Sequence, residues 1–525
     1  MTTRAHLVSQ VRSLLAAGRP ADALHRLEVA RLSGPLPMVL VRFRALALLQ
    51  TGQPAVARTE LEGALAAHPR ELGLHVLLAE ACRQSGDVRA AVDALEVAAH
   101  RAPQHWQTVA QLAESILERS RALAAWRAAA IHAPSDAQVL ARLAVAAEQA
   151  NDLEEAHQAA ERALALKPNQ PVALLVLARC ARRRQDAVRA QVALGRIPEA
   201  QSGPSVWEER GRVAEMVGDS TAAQQAFAAM NATMRAQSPG FHFDRVDGGL
   251  VPALRALHTI WSGATPRWAT AGPDTTGRAP VFLAGFNRSG TTLVGRMLGA
   301  HPSLALLDEE DPIDRISSAI GPRWPGLLDD VGAQELAALR ATYHRRVDAL
   351  HGADAGLARP LDKLPMHTMR LAMIHRLFPS SPVVFVHRDP RDVVLSNWMQ
   401  CYAHNAITAH FDELAGCVAL YTATLRAGFA QMRALPGLPV IWLRYEDVVA
   451  DWQGEIRRVL DALGLGWCDE VAHYREAAGL QDVKTPSYHQ VAAPVHRRAA
   501  GRWKRHEALL APHLAALAPW EEPVR

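Results

Sequence analysis

The apolar and polar positions divide the chain into two patterns. Residues 1–231 are rich in Ala, Leu and Arg and read as helix throughout. A turn element recurs at Gly18, Gly52, Gly86, Asn151, Gln185 and Gly218. Five residues after each stands an alanine: Ala23, Ala57, Ala91, Ala156, Ala190 and Ala223. Nine after each stands an apolar residue: Leu27, Leu61, Leu95, Ala160, Leu194 and Phe227. Gly18 to Gly52, Gly52 to Gly86 and Asn151 to Gln185 are each 34 residues. The 65 residues from Gly86 to Asn151 fit one unit of 34 and one of 31, with Ala125 as the missing alanine. Pro69, Pro103, Pro134 and Pro168 mark the starts of successive units. From 232 to 280 the pattern breaks into Gly, Pro, Ser and Thr with Trp261 and Trp268, which reads as a linker region. Beyond it short strand-like runs alternate with helices: Val281–Ala284 before 291–300, Val383–Val386 before 391–402, and Val440–Leu443 before 452–463. That alternation predicts βαβ units and a mainly parallel sheet covered by helices over residues 281–525.

A helix–turn–helix unit of this period, with small residues where helices cross, resembles the tetratricopeptide repeat (TPR) family over residues 1–231. The match rests on the period and the alanine column, because the family's aromatic positions are mostly Leu or Ala here. The resemblance implies an all-α solenoid whose units bury apolar faces against their neighbours. Its groove would hold an extended peptide or a helix, as acceptor or partner. The same stack would serve equally as a stabilising arm or as the contact of a homodimer. The expected architecture is therefore an α solenoid followed by a P-loop-like α/β domain.

Composition narrows the function classes. The 525 residues are 49% apolar and 21% charged, as in an ordinary globular protein. A net charge of +4 over this length argues against bulk nucleic-acid or membrane binding. No secretory pattern and no transmembrane-length apolar run stands out. Cys82, Cys180, Cys401, Cys417 and Cys468 form no C-x-x-C pair. A cytoplasmic, metal-free protein with no membrane span is expected. Lysine occurs only at Lys167, Lys363, Lys484 and Lys504, so a lysine in this arginine-rich chain marks a place where a compact ammonium is wanted.

The richest chemistry lies at 281–292, Val-Phe-Leu-Ala-Gly-Phe-Asn-Arg-Ser-Gly-Thr-Thr. Gly285 and Gly290 have the G-x-x-x-x-G spacing of a phosphate-binding loop, but Thr291 stands where a nucleotide-hydrolysing loop carries lysine. Such a loop offers backbone N–H groups and a helix N-terminus to an anion. The missing lysine points away from ATP and GTP.

Four segments, Gly-Phe-Asn-Arg-Ser-Gly-Thr-Thr-Leu (285–293), Asp-Lys-Leu-Pro (362–365), Phe-Val-His-Arg-Asp-Pro-Arg-Asp-Val-Val-Leu-Ser (385–396) and the tail 490–503, together resemble a sulfotransferase. They are most similar to the branch holding tyrosylprotein sulfotransferases and the bacterial TPR-fused sulfotransferases. The resemblance implies transfer of a sulfuryl group from 3′-phosphoadenosine 5′-phosphosulfate (PAPS) to an acceptor hydroxyl or amine, leaving PAP, without metal. It places the 5′-phosphosulfate on Arg288, Ser289, Gly290, Thr291 and Thr292, with Asn287 where the family often has Pro. It places the 3′-phosphate on Arg388 and Ser396, while Arg391 and Asp392 are read as an ion pair or helix cap. Tyr445 matches a nucleotide-contacting tyrosine, though a buried structural role fits it nearly as well. Ser487 matches a serine near the phosphosulfate, and Arg502 stands where animal enzymes carry a nucleotide-binding lysine. Trp503 is expected to pack the lid.

For catalysis, the resemblance assigns Lys363 to the bridging oxygen as PAP departs, with Arg288 and Ser487 beside it. The base falls in Leu-Leu-Asp-Glu-Glu-Asp (306–311), at Glu309 counting eight from His301, with Asp308 and Glu310 as alternatives because the family's glycine is absent. Two rivals stand beside this reading: a P-loop nucleotide kinase, and a non-enzymatic TPR scaffold with a degenerate transferase domain.

Overall fold

The computed structural model describes residues 4–263, 266, 278–310, 312–321, 324, 328–351, 358–476, 495 and 499–521. The chain forms two compact units, Met1–Asp186 and Ala187–Arg525.

The first unit is a run of antiparallel helix pairs from Arg4–Ala16 to Pro171–Arg183. The turn residues anticipated from the repeat are left-handed: φ is 67° at Gly18, 72° at Gly52, 80° at Gly86, 69° at Asn151 and 63° at Gln185. A left-handed residue just past a helix lets the last carbonyls find N–H partners, which favours Gly and tolerates Asn. The alanine column is fully buried, with Ala23, Ala57, Ala91 and Ala156 each at 0% exposure. Arginines on one pair reach acids on the next, Arg58 to Asp87 and Arg89 to Glu118, each at 2.9 Å. The long interval resolves differently from the expectation. Its left-handed turn is Leu117, with φ 61°, so the unit of 31 comes first and Ala122 takes the column position assigned to Ala125. A leucine there gave no turn signal.

The second unit opens with the helices Ala187–Gly195, Pro204–Met216 and Ser220–Gln237, so the compact division falls inside the repeat array rather than at residue 231. A Cβ on Gly211 would stand 2.7 Å from the Phe227 ring, which explains a glycine in mid-helix. Phe227 in turn lies 6.1 Å from Trp398 and shares one buried core with Phe286, Phe385 and Trp398. Within 232–280 the helix Val251–Ser262 buries Leu254, Leu257 and Trp261 in that same core.

Among the described residues, five strands form one sheet, all parallel, in the order β2-β3-β1-β4-β5. They are β1 Val281–Ala284, β2 Leu304–Asp308, β3 Arg359–Lys363, β4 Val383–His387 and β5 Val440–Arg444. Alternate side chains feed different cores, as the strand period requires. Phe282 and Ala284 join the core that holds Phe227, whereas Val281 and Leu283 join a second one with Val294, Leu361 and Leu460. β2 and β3 were not anticipated as strands. β3 is Arg-Pro-Leu-Asp-Lys, whose proline and charges argue against a strand, yet its last four residues are buried. Its buried Asp362 is satisfied by Tyr343 Oη at 3.0 Å and His367 Nε2 at 2.9 Å.

Candidate active site

The loop after β1 is shaped by what crowds it. A Cβ at Gly285 would lie 2.6 Å from the Val386 carbonyl oxygen. At Gly290, with φ 106°, it would lie 2.5 Å from the Tyr445 ring. Only glycine fits either place. Three loop carbonyls are drawn away from the loop by outside donors. Thr368 Oγ1 donates to Gly285 O at 2.6 Å, Asn397 Nδ2 to Asn287 O at 2.9 Å, and Arg388 Nη1 to Arg288 O at 2.9 Å. The helix Thr291–Gly299 then begins, and its first-turn N–H groups have no carbonyl one turn back to bond. Ser289 Oγ accepts from the Phe286 amide at 3.3 Å, so that hydroxyl also braces the loop.

Lys363 and the acidic run meet at the carboxyl ends of β2 and β3, where Asp308 is in register with Lys363. The Lys363 side chain is buried, with its stem under Gly295. Its Nζ stands 2.5 Å from Asp308 Oδ1 and 2.8 Å from Glu309 Oε1. Asp308 Oδ2 accepts from Arg296 Nη2 at 2.8 Å. Burial alone would raise the Asp308 carboxyl, but Lys363 and Arg296 outweigh it and hold Asp308 below the usual carboxylate range. Glu309 is different: its side chain is 36% exposed, and its φ of 59° turns the chain out of β2.

A cluster of arginines faces the loop. Arg288, also left-handed at φ 69°, donates from Nε to Ser396 Oγ at 3.1 Å. Burial pushes its guanidinium below its ordinary range, and the fields of Arg212, Arg388 and Arg502 push the same way against the opposing effect of Tyr402. A guanidinium does not release its proton, so Arg288 keeps its charge in this buried place. Arg388 stacks 4.5 Å from the Tyr445 ring centroid and donates to Ala499 O at 2.5 Å. Asp389 caps the helix Pro390–Trp398 and holds Arg391, which lies 4.2 Å from the Trp503 ring centroid. Asp392 instead accepts from the amides of Gly501 at 2.6 Å and Trp503 at 2.8 Å, pinning the C-terminal segment. Arg502 Nε donates to Glu215 Oε1 at 2.9 Å.

The fold thus gathers Arg288, Ser289, Gly290, Thr291, Arg388, Ser396 and Tyr445 around one loop. Thr292 is the second residue of the adjoining helix, and Lys363 with Glu309 lies at the neighbouring strand ends. Arg502 is held by Glu215. Ser487 lies outside the described residues. Sequence reasoning passed over Asn397, Thr368, Arg296 and Tyr402, whose hydroxyl donates to Asn397 Oδ1 at 3.2 Å. Only proximity to Ser396 in sequence could have flagged Asn397 and Tyr402. Among the described residues no group of three His, Cys, Asp or Glu side chains is placed to hold a metal ion. No helix among them is long and apolar enough to cross a membrane.

Residues 280–469 match the sulfotransferase family model. Residues 44–105, 110–171 and 147–208 match tetratricopeptide repeat models. An uncharacterized protein of Aquifex aeolicus is 27% identical over 250 residues, which are 46% of this chain and only 32% of that protein's length. Protein-tyrosine sulfotransferase 2 of Gallus gallus is 28% identical over 269 residues, 46% of this chain and 70% of that one. The solved sulfotransferase domain of the Synechococcus PCC 7002 olefin synthase aligns over 50% of this chain and 99% of its own, at 17% identity and a TM-score of 0.34. The chain therefore carries a sulfotransferase-family domain at residues 280–469, behind tetratricopeptide repeats within residues 44–208.

Proposed function

We propose that the catalytic domain moves a sulfuryl group from PAPS to an acceptor hydroxyl, on a protein tyrosine, a glycan or a small molecule. The observation that carries this reading is the Lys363 ammonium, buried and clamped by Asp308 beside an anion-binding loop lined with arginines. The donor presents two anionic groups, and two sets of cations and hydroxyls stand ready for them. Arg288, Ser289, Thr291, Thr292 and the first-turn N–H groups suit the phosphosulfate. Arg388, Ser396 and Tyr445 suit the nucleotide's 3′-phosphate and base side, with Arg502 assigned there by resemblance and Ser487 assigned by resemblance to the phosphosulfate. PAP is the product, and no metal is called for.

In the transfer, a bond forms between the acceptor oxygen and sulfur, and the bond from sulfur to the phosphate oxygen breaks, its electron pair leaving on PAP. Glu309 accepts the acceptor's proton, because it is the exposed carboxylate of the pair that touches Lys363. Asp308, held ionised by its two cationic partners, keeps Lys363 aimed. Lys363 and Arg288 neutralise the oxygen that leaves, the point where fixed charge does most for a loose transfer. The repeat array is read as the holder of a peptide acceptor or partner, or as a homodimer contact, and the compartment as cytoplasmic.

The test is transfer of labelled sulfate from PAPS into a lysate of the source organism, paired with calorimetry of PAP binding. Lys363→Ala and Glu309→Gln should lose turnover while PAP binding largely persists. Normal turnover in both variants overturns the roles. Magnesium-dependent ATP turnover would favour a kinase, and absence of PAP binding a degenerate scaffold.

A further inference from the structure

Helix 204–216 belongs by sequence to the repeat array, yet one of its faces is bonded to catalytic segments. Glu208, Arg212 and Glu215 are four and three residues apart, so they share that face. Glu208 Oε1 accepts from Arg212 Nη2 at 2.7 Å, Gln400 Nε2 at 2.9 Å and the Cys401 amide at 3.3 Å. Arg212 Nη2 also donates to Gln400 Oε1 at 3.1 Å. One turn on, Glu215 takes Arg502 on both carboxylate oxygens and lies 3.1 Å from His506 Nε2. His506 is buried, and its Nδ1 faces Gln224 Nε2 of the next helix at 3.3 Å. The helix therefore grips two stretches, 400–401 just after Ser396, and 502–506.

We propose that Glu215 is a positioning residue for the donor site, holding Arg502 beside the Arg288 and Arg388 cluster so that a helix of the repeat array completes the nucleotide pocket. This rests on the donor reading above. Arg502 is fixed from two sides, since Asp392 bonds the amides of its neighbours Gly501 and Trp503 while Glu215 holds its guanidinium. Its charge reaches Arg288. Although burial opposes it, contact with His506 and Arg502 keeps the Glu215 carboxyl down at about 2, so the latch is ionised at neutral pH. A bidentate carboxylate fixes the plane of a guanidinium as well as its place, which a bound phosphate then meets without reordering a long side chain. The repeat helix is in this sense part of the donor site, although no atom of Glu215 need touch the donor.

The experiment uses the full chain with Glu215→Gln, Glu215→Asp, Arg502→Gln and the Glu215→Gln/Arg502→Gln double variant. PAP is the probe in calorimetry, and hydrogen exchange is read at the Gly501 and Trp503 amides. Glu215→Gln should weaken PAP roughly tenfold, the scale of one charge-assisted hydrogen bond. Glu215→Asp should recover most of that loss. The double variant should bind PAP no worse than Arg502→Gln, because Glu215 acts through Arg502. Exchange at the two amides should rise in Glu215→Gln, a readout that needs no donor. Unchanged PAP affinity in Glu215→Gln, or additive losses in the double variant, overturns the proposal. Should the unaltered chain bind no PAP, the donor reading fails first, and unchanged amide exchange in Glu215→Gln would then reject the latch on its own.

Discussion

Asp308 and Glu309 are neighbours with the same charge, and both touch Lys363, yet substituting them should have opposite consequences. Asp308 joins two buried cations: its side chain is 9% exposed, that of Lys363 1% and that of Arg296 4%. Asp308→Asn keeps the shape and removes the charge. It leaves Arg296 without that carboxylate and Lys363 with only Glu309. Breaking a buried pair in this way costs about 3–5 kcal/mol. Glu309 is over a third exposed, and a pair at that level of solvation is worth about 0–1 kcal/mol. Glu309→Gln should therefore leave stability nearly unchanged, while losing a general base lowers turnover by roughly 10²–10⁴-fold.

The assays are urea unfolding for stability and initial rates of sulfate transfer for turnover. The pH dependence gives a second check. Asp308 is held below its unfolded value of about 3.9, so its contribution is fully present above that pH and fades as pH falls through the lower folded value. The stability gap between the unaltered chain and Asp308→Asn should thus be widest near neutrality and close in acid. Normal turnover in Glu309→Gln, together with an inactive but fully stable Asp308→Asn, would refute the assignment and make Asp308 the base.

Two further outcomes follow from packing. Gly290→Ala places a methyl 2.5 Å from the Tyr445 ring at a φ of 106°, so PAP affinity measured by calorimetry should fall by about tenfold or more, through strain of roughly 1–3 kcal/mol that reshapes the loop. Phe227→Ala empties a fully buried site between Gly211 and Trp398 and should cost about 3–5 kcal/mol in unfolding of the second unit, although residue 227 falls in the stretch whose sequence pattern is that of a repeat. A stability within 1 kcal/mol of the unaltered chain would show that the array and the catalytic core do not share that packing.

The periodic parts were the legible ones. The repeat turns, the alanine column and strands β1, β4 and β5 follow from apolar spacing, and the loop from its two glycines. The remainder was hidden for identifiable reasons. β3 buries Asp362 and Lys363 by satisfying them with Tyr343, His367 and Asp308, so its composition carries no hydrophobic run. β2 ends in the acidic run, and its apolar stretch of four residues is too short to stand out beside those charges. The missed pair is the one that sets Asp308 against Lys363, so the acidic run and the lysine could be found as motifs but not as neighbours. Glu215 was hidden for another reason, since it contacts Arg502 across 287 residues and lies on a helix whose pattern is that of a repeat.

Backbone strain offers an independent line to the same residues. Among the described residues of the second unit, only two that are not glycine adopt a left-handed backbone, Arg288 and Glu309. In the first unit the left-handed non-glycine residues Leu117, Asn151 and Gln185 end repeat helices, where the turn itself demands the conformation. Arg288 and Glu309 end nothing of that kind. One sits inside the anion loop with its carbonyl bonded by Arg388, and the other leaves β2 with its amide on the Lys363 carbonyl at 2.9 Å. Such a conformation costs of order 1–3 kcal/mol per residue and persists only where surrounding contacts over-determine it. Glycine at either place would relieve the strain and forfeit the side chain. Arginine and glutamate there are intelligible if the guanidinium must reach Ser396 and the carboxylate must reach Lys363, which is what the proposed transfer, with a cation for the leaving oxygen and a base for the acceptor, would require.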